Sequence, residues 1–345
     1  MSSSTSSFDA GAATAWWRFL RVYLAMLLAA GAAFIAAIVL VDPYNTGMLT
    51  PFDKTIVATH DAPRFANAGR ARDPRFDSAI FGNSTAQLLE PERLDRLVGG
   101  HFANLVVPGS TAVEQLVTLQ YFLRHHAGRV RTLVITMDML WCYPDRTFAR
   151  DRILHPFPFW LYDGDRLDYM AHVAVIEGMG LSMRKLKLLL GRSHPRAPAD
   201  GYVNFESGRT WRIAEARQRM EATGRMLWMT DADAATIDHF AALEALDGVI
   251  AGLPEQVKVV LLFTPYFSGT LPAKGGLTAR RLESCKEHTA RIAGMRNAIY
   301  RDFLQDDAMT QEIANFWDAM HYRIHIARLI ENEIGAALKA ASAAY

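Results

Sequence analysis

The chain has 345 residues, half of them hydrophobic and 21% charged, which excludes a disordered polypeptide and is enough for a sizeable core. Its 37 Lys and Arg nearly cancel its 36 Asp and Glu, so no net charge argues for a nucleic-acid partner. The two cysteines, Cys142 and Cys285, lie in no CxxC pair and no His/Cys cluster of metal spacing, so a zinc site is not expected, and no other motif calls for a metal or a cofactor. They can form one disulfide or stay buried thiols; we read them as free thiols.

Residues 1–15, rich in Ser, Ala and Gly, read as a disordered cytoplasmic tail. The anchor region, residues 16–42, follows. Its run Val22 to Val41 carries no charge for 20 residues, long enough at about 1.5 Å per residue to cross a hydrocarbon layer of about 30 Å. The run exceeds the apolar region of a cleavable signal peptide, which favours a retained anchor. Arg18 and Arg21 flank one end, Trp16, Trp17 and Tyr23 suit the headgroup interface, and Asp42-Pro43 stops the helix at the other. By the positive-inside rule residues after Val41 lie outside, which in a bacterium means a single crossing of the inner membrane with those residues on the periplasmic side.

Residues 43–77 lack sustained periodicity and read as a linker or approach segment. From residue 78 to 345 short aliphatic runs alternate with helical patterns. The runs are Ser78 to Phe81, Ala103 to Val107, Thr132 to Met137, Val257 to Phe263 and, more weakly, Ala298 to Phe303. They lack polar alternation, as strands buried on both faces of a parallel sheet do. The helical patterns are Ala86 to Leu97, Ala112 to His126, Ala279 to Arg296 and Ile324 to Ala341. This order predicts an α/β fold with a doubly wound, mainly parallel five-stranded sheet and ligands at the carboxyl ends of the strands. Residues 140–252 break the rhythm and read as a helical insertion over that edge. Its aromatic run Phe157, Phe159, Trp160, Tyr162 reads as insertion core in preference to a sugar-stacking or membrane-facing surface.

Three short elements can carry chemistry. Gly82-Asn83-Ser84 ends the first soluble strand and runs into a helical pattern whose first N–H groups and dipole would favour an oxyanion. Asp318 and His321 lie one turn apart before the last helix; a carboxylate on one imidazole nitrogen leaves the other free to take a serine proton. Gly109 follows the second strand, where its N–H can meet an oxyanion beside that of Ser84. Taken singly, each has a plainer reading: Ser84 or Thr85 as a helix cap, Asp318 as the cap of the last helix, Gly109 as an ordinary turn. Tyr266 ends the fourth strand and can line the pocket. His125, His126 and His155 read as surface or packing residues.

In that order, nucleophile, Gly turn and Asp-x-x-His, the chain resembles the SGNH (GDSL-like) hydrolase superfamily from about Asp77 onward. The anchor followed by DPYN, the segment RFDSAIFGNS and the ending DAMHYR are similar to its membrane-anchored periplasmic members associated with O-acylation of exopolysaccharides and cell-wall polymers. The resemblance implies the flavodoxin-like three-layer arrangement, Ser84 as nucleophile, His321 as base, Asp318 as its orienter and Gly109 as an oxyanion donor. It departs in two places. Asn83 stands where the family has the Asp of GDS, and Asp138 stands where an Asn supplies an oxyanion donor. An ionised Asp138 would repel the oxyanion unless it is protonated, points away, or binds a substrate hydroxyl.

The expected function is serine acyl transfer: an O-acetyltransferase or acetylesterase acting on an envelope or exported polysaccharide, with an acyl donor and a polysaccharide acceptor as partners and possible help from a membrane-bound acyl-transferring protein. The rival expectation, favoured by Asp138, is an inactive scaffold or glycan-binding subunit of a polysaccharide assembly.

Overall fold

A computed structural model of the chain describes residues 10–48, 59–143, 155–173, 175–224, 234–235 and 238–343. The region expected to be the anchor forms helix α1, Ala10–Val41. Its Ala13–Val41 stretch is long and apolar enough to cross a membrane and stands almost wholly outside the folded domain. The Ala-rich AGAATA segment continues the helix back to Ala10, so the last six residues read as tail are helical; residues 1–9 lie outside the described residues. Helix α1 ends where expected, at Asp42, whose positive φ of 46° breaks the helical path.

The approach segment holds an unexpected helix, α2, Pro63–Arg70, opened by proline at its first turn. Its buried face is Asn67, Ala68, Gly69 and Arg70, polar and small rather than aliphatic, so hydrophobic periodicity gives no sign of it. Residues 49–58 lie outside the described residues.

Strand β1, Ser78–Phe81, is buried along its length. A three-residue 3-10 turn, Ser84–Ala86, follows, and then helix α3, Pro91–Val98. The single helix expected over Ala86 to Leu97 is thus split. Pro91 is the cause: it disfavours helical geometry at Glu90 and starts the helix afresh. Strand β2, Phe102–Asn104, is followed by α4, Ala112–His125, and β3, Thr132–Met137. The insertion carries α5, Arg166–Val173, α6, Ile176–Leu189, α7, Ile213–Gly224, and α8, Ala241–Ala251. Strand β4, Lys258–Phe263, α9, Leu277–Met295, β5, Ile299–Asp302, the short α10, Ala308–Gln311, and α11, Ile324–Ala343, complete the fold.

All five strands run parallel in the order β2-β1-β3-β4-β5. The chain leaves β1 for β2 on one side and returns to β3 on the other, so the switch of direction opens a crevice at the carboxyl end of β1. Gly82 to Ser84, Asp138 and Thr264 each follow a strand at that edge. The aromatic run does belong to the core. Phe157 and Tyr162 stack and are buried, and Trp160 stacks on His172 and meets Tyr44 edge-on.

The cysteines are not free thiols. Cys142, just past β3, is disulfide-bonded to Cys285 on α9, 143 residues away. Such a separation carries no local motif, and packing of α9 beside the β3 exit decides the pairing.

Candidate active site

Gly82 turns the chain sharply out of β1. A Cβ there would lie 1.9 Å from Thr136 Oγ1, which is itself bonded to the Phe81 carbonyl at 3.0 Å. Only glycine lets β1 and β3 approach so closely at this point. Asn83 then caps the turn: its Oδ1 accepts from the Thr85 N–H at 3.0 Å and the Thr85 hydroxyl at 2.9 Å. Ser84 is left half-buried and open to the crevice. The helix expected after it is only a three-residue turn, too short for a useful dipole, so electrostatic help must come from individual N–H groups.

The segment before α11 forms a stapled turn. Phe316 and Tyr322 bridge antiparallel and are both buried, and the Trp317 N–H donates to the His321 carbonyl at 2.8 Å. Within it, the Asp318 carboxylate accepts from the N–H groups of Met320 and His321 at 2.9 Å each and lies 2.8 Å from His321 Nδ1. Nδ1 therefore carries the proton, and Nε2, 2.8 Å from Ser84 Oγ, is the acceptor. Burial would raise the Asp318 carboxyl, but the bonds and charge of His321 and the two N–H groups hold it below the usual carboxylate range. Asp318 is not the cap of α11, which starts at Ile324. A hydroxyl with an imidazole on it and a carboxylate behind the imidazole can act as a base-activated nucleophile.

The insertion braces this turn. Trp211 Nε1 donates to the Phe316 carbonyl at 2.9 Å, and Arg219 Nε to the Trp317 carbonyl at 2.8 Å. Glu206 accepts from Trp317 Nε1 at 2.5 Å and from the Ile324 N–H at 2.9 Å. Phe205 sets its ring 6.0 Å from that of His321, near edge-on. No local sequence pattern marks these residues, since each acts across more than 90 residues of chain.

Gly109 takes φ +70°, and a Cβ on it would come within 3.0 Å of His155 Cδ2. His155, set aside above as a surface residue, is exposed but lies against this turn. From below, Arg64 donates to the Pro108 carbonyl at 3.0 Å and Asn67 to that of Val106 at 3.2 Å, so α2 holds the Gly109 turn in place.

The Asp138 carboxylate ends a buried chain of hydrogen bonds. The Thr264 hydroxyl donates to that of Thr85 at 2.9 Å, Thr85 to Asn83, and the Asn83 amide Nδ2 to the Asp138 carboxylate. The second carboxylate oxygen accepts from the Leu140 N–H at 2.9 Å. Burial pushes Asp138 up to about 6 against the effect of these donors. Asn83 and Asp138 thus form a buried amide–carboxylate pair at the carboxyl ends of β1 and β3. Tyr266 is 2% exposed, and burial plus the charges of Asp138 and Asp318 raise its hydroxyl well above its usual range. It sits behind the site rather than on its open face. His126 is wholly buried and bonds the Asp73 carbonyl, a packing role.

An open cavity of about 520 Å³ adjoins His321 and Asp318, with Phe205, Trp317, Arg209 and Arg219 on its walls. Its size suits a sugar-sized group. No protein-family model matches the chain, and no curated protein is significantly similar to it.

Proposed function

We propose that the protein is a membrane-anchored, extracytoplasmic serine acyl-transfer enzyme of the SGNH type, moving acetyl to or from a hydroxyl of an envelope or exported polysaccharide. The observation that carries this reading is the Ser84–His321–Asp318 arrangement, with Oγ 2.8 Å from Nε2 and the carboxylate 2.8 Å from Nδ1. The 2-1-3-4-5 strand order, with Ser84 directly after β1, supports it.

In the first half-reaction Ser84 Oγ bonds to the acyl carbon as its proton passes to His321 Nε2. In this reading the developing oxyanion is taken up by the backbone N–H groups of Ser84 and Gly109; that neither donates to another group among the described residues supports it. The tetrahedral centre collapses, the donor's C–O bond breaks, and His321 returns the proton to the departing alkoxide. The second half-reaction runs the same steps backward with an acceptor hydroxyl: His321 takes its proton, the new ester forms, and Ser84 Oγ leaves reprotonated. A sugar acceptor makes the enzyme a transferase, water an esterase. The aromatic rings of Phe205 and Trp317 on the walls of the cavity beside His321 support a sugar acceptor.

The Cys142–Cys285 disulfide supports an oxidising compartment, in accord with Arg18 and Arg21 on the opposite side of the anchor. Purified protein should release 4-nitrophenol from its acetate ester, and Ser84→Ala should abolish the release. Equal rates in the two proteins leave the scaffold reading, which the burial of Asp138 in the crevice wall no longer specifically favours.

A further inference from the structure

Helix α1 is not joined to the folded domain by a loose tether. Ile38, in its last turns, is 3% exposed and shares a core with Val173 of α5 and Leu181 of α6. Beyond it, the Asp42 carboxylate accepts from Thr46 and from the Tyr169 hydroxyl at 2.6 Å, and Lys185 Nζ of α6 donates to the Asp42 carbonyl at 2.9 Å. Asp42 is the first ionisable residue after the apolar span. Helix α6 is therefore held at the depth where α1 leaves the hydrocarbon.

Two opposed faces divide α6. Gly178, Leu181, Ser182 and Lys185 are buried against the domain. Met179, Met183, Leu186 and, just past the helix end, Leu190 recur at helical spacing and are 43%, 53%, 38% and 65% exposed. Lysine and arginine occur at Arg184 and Lys187 on the helix and at Arg192 just past it, and no acidic residue occurs from Gly178 to Ala199; Arg196, further on, pairs with Asp61 at 3.5 Å. With 14 residues the helix is too short to cross a bilayer. An exposed Met/Leu stripe with a basic flank is the composition of a helix lying in the membrane interface.

We propose that α6, with the basic residues Arg184, Lys187 and Arg192, is a second membrane contact: its stripe enters the acyl-chain boundary beside the exit of α1, and these basic residues meet the phosphates of anionic phospholipids. This rests on α1 crossing the membrane and is independent of the acyl-transfer chemistry. Two contacts joined rigidly through Asp42 hold the folded domain at one tilt and rotation on the bilayer, where a single crossing helix would let it swivel.

The test uses the full chain in phosphatidylethanolamine/phosphatidylglycerol vesicles. Met183→Cys, Leu186→Cys, Leu28→Cys in α1 and Met295→Cys at the end of α9 each receive an environment-sensitive fluorophore, the native cysteines being occupied by their disulfide. Some of the lipids carry a nitroxide, near the headgroup for Met183, Leu186 and Met295 and deep in the acyl chain for Leu28. The Met183 and Leu186 probes should lose most of their emission to the nitroxide while Met295 keeps its own. Emission at Met183 that is as unquenched as at Met295, with Leu28 quenched, overturns the proposal. Energy transfer between labelled copies without lipid quenching assigns the stripe to a second copy and also overturns it. Equal quenching in vesicles without phosphatidylglycerol removes the anionic-lipid part. An unquenched Leu28 shows that α1 is not inserted, and the proposal falls with the anchor. A surviving proposal with no ester hydrolysis, or the reverse, separates this contact from the catalytic reading.

Discussion

Ser84 and His321 are 237 residues apart in the chain, yet the serine Oγ lies 2.8 Å from the imidazole Nε2. One follows the first strand and the other precedes the last helix. A parallel sheet gathers the carboxyl ends of its strands on one edge, which is how such remote residues meet.

If Asp318 fixes the imidazole tautomer, Asp318→Asn should leave the fold intact and lower the turnover of 4-nitrophenyl acetate by up to about 10⁴-fold, as expected for loss of a tautomer-setting carboxylate. A variant within a few fold of the wild type would remove Asp318 from the mechanism. Circular dichroism of the two proteins checks that the fold is shared.

The Asn83–Asp138 contact predicts strong coupling. Asn83→Asp alone sets two buried carboxylates against each other and should destabilise the protein. Adding Asp138→Asn restores one donor and one acceptor in reversed positions, so the double variant should recover about 1–3 kcal/mol relative to additivity. Chemical denaturation of the four proteins measures this, and additive changes would refute the coupling.

Asp138 also predicts a pH effect with a definite sign. Its folded value of about 6 lies above the 3.8 of an ordinary aspartate. Between these values the folded state binds more protons than the unfolded, so its contribution to stability falls as pH rises through that window and reaches its full cost above about pH 6, on the order of 3 kcal/mol. The melting temperature of Asp138→Asn relative to the wild type should therefore be higher at pH 7.5 than at pH 4.5. A pH-independent difference would show that Asp138 does not titrate in this range.

Reducing the disulfide should cost stability without touching the site directly. The 143-residue separation of Cys142 and Cys285 sets the chain-entropy contribution at about 5 kcal/mol as an upper figure. A lower melting temperature in dithiothreitol, reproduced by Cys142→Ser/Cys285→Ser in its absence, is the expected result.

Gly82→Ala should do more harm than an ordinary glycine substitution, because its new methyl meets Thr136 Oγ1 in a position where the backbone also resists L residues. Gly128→Ala, at φ +74° with no atom within 4 Å of the added Cβ, should cost only about 1–2 kcal/mol for the backbone. If both variants hydrolyse ester and melt alike, the close approach of β1 and β3 is not what sets Ser84.

By itself the sequence determined a helix long and apolar enough to cross a membrane, the bounds of β1 and β3, and the alternation that predicts a mainly parallel sheet. These are written in local composition: an uncharged run, or an aliphatic run between polar residues, has the same meaning wherever the chain goes. It also named Ser84, Gly109, Asp318 and His321, since the last pair share one turn and the others follow strands. Only the tertiary structure decided the rest. Helix α2 buries Asn67 and Arg70, so no apolar stripe marks it, and Cys142 finds Cys285 only once α9 packs beside β3. The rotation of Asp138 onto Asn83, the bracing of the His321 turn by Glu206, Trp211 and Arg219, and the locking of Asp42 by Lys185 are contacts between distant segments. Their partners are chosen by packing and by the need to satisfy buried polar groups, and neither is visible in a residue's neighbours along the chain.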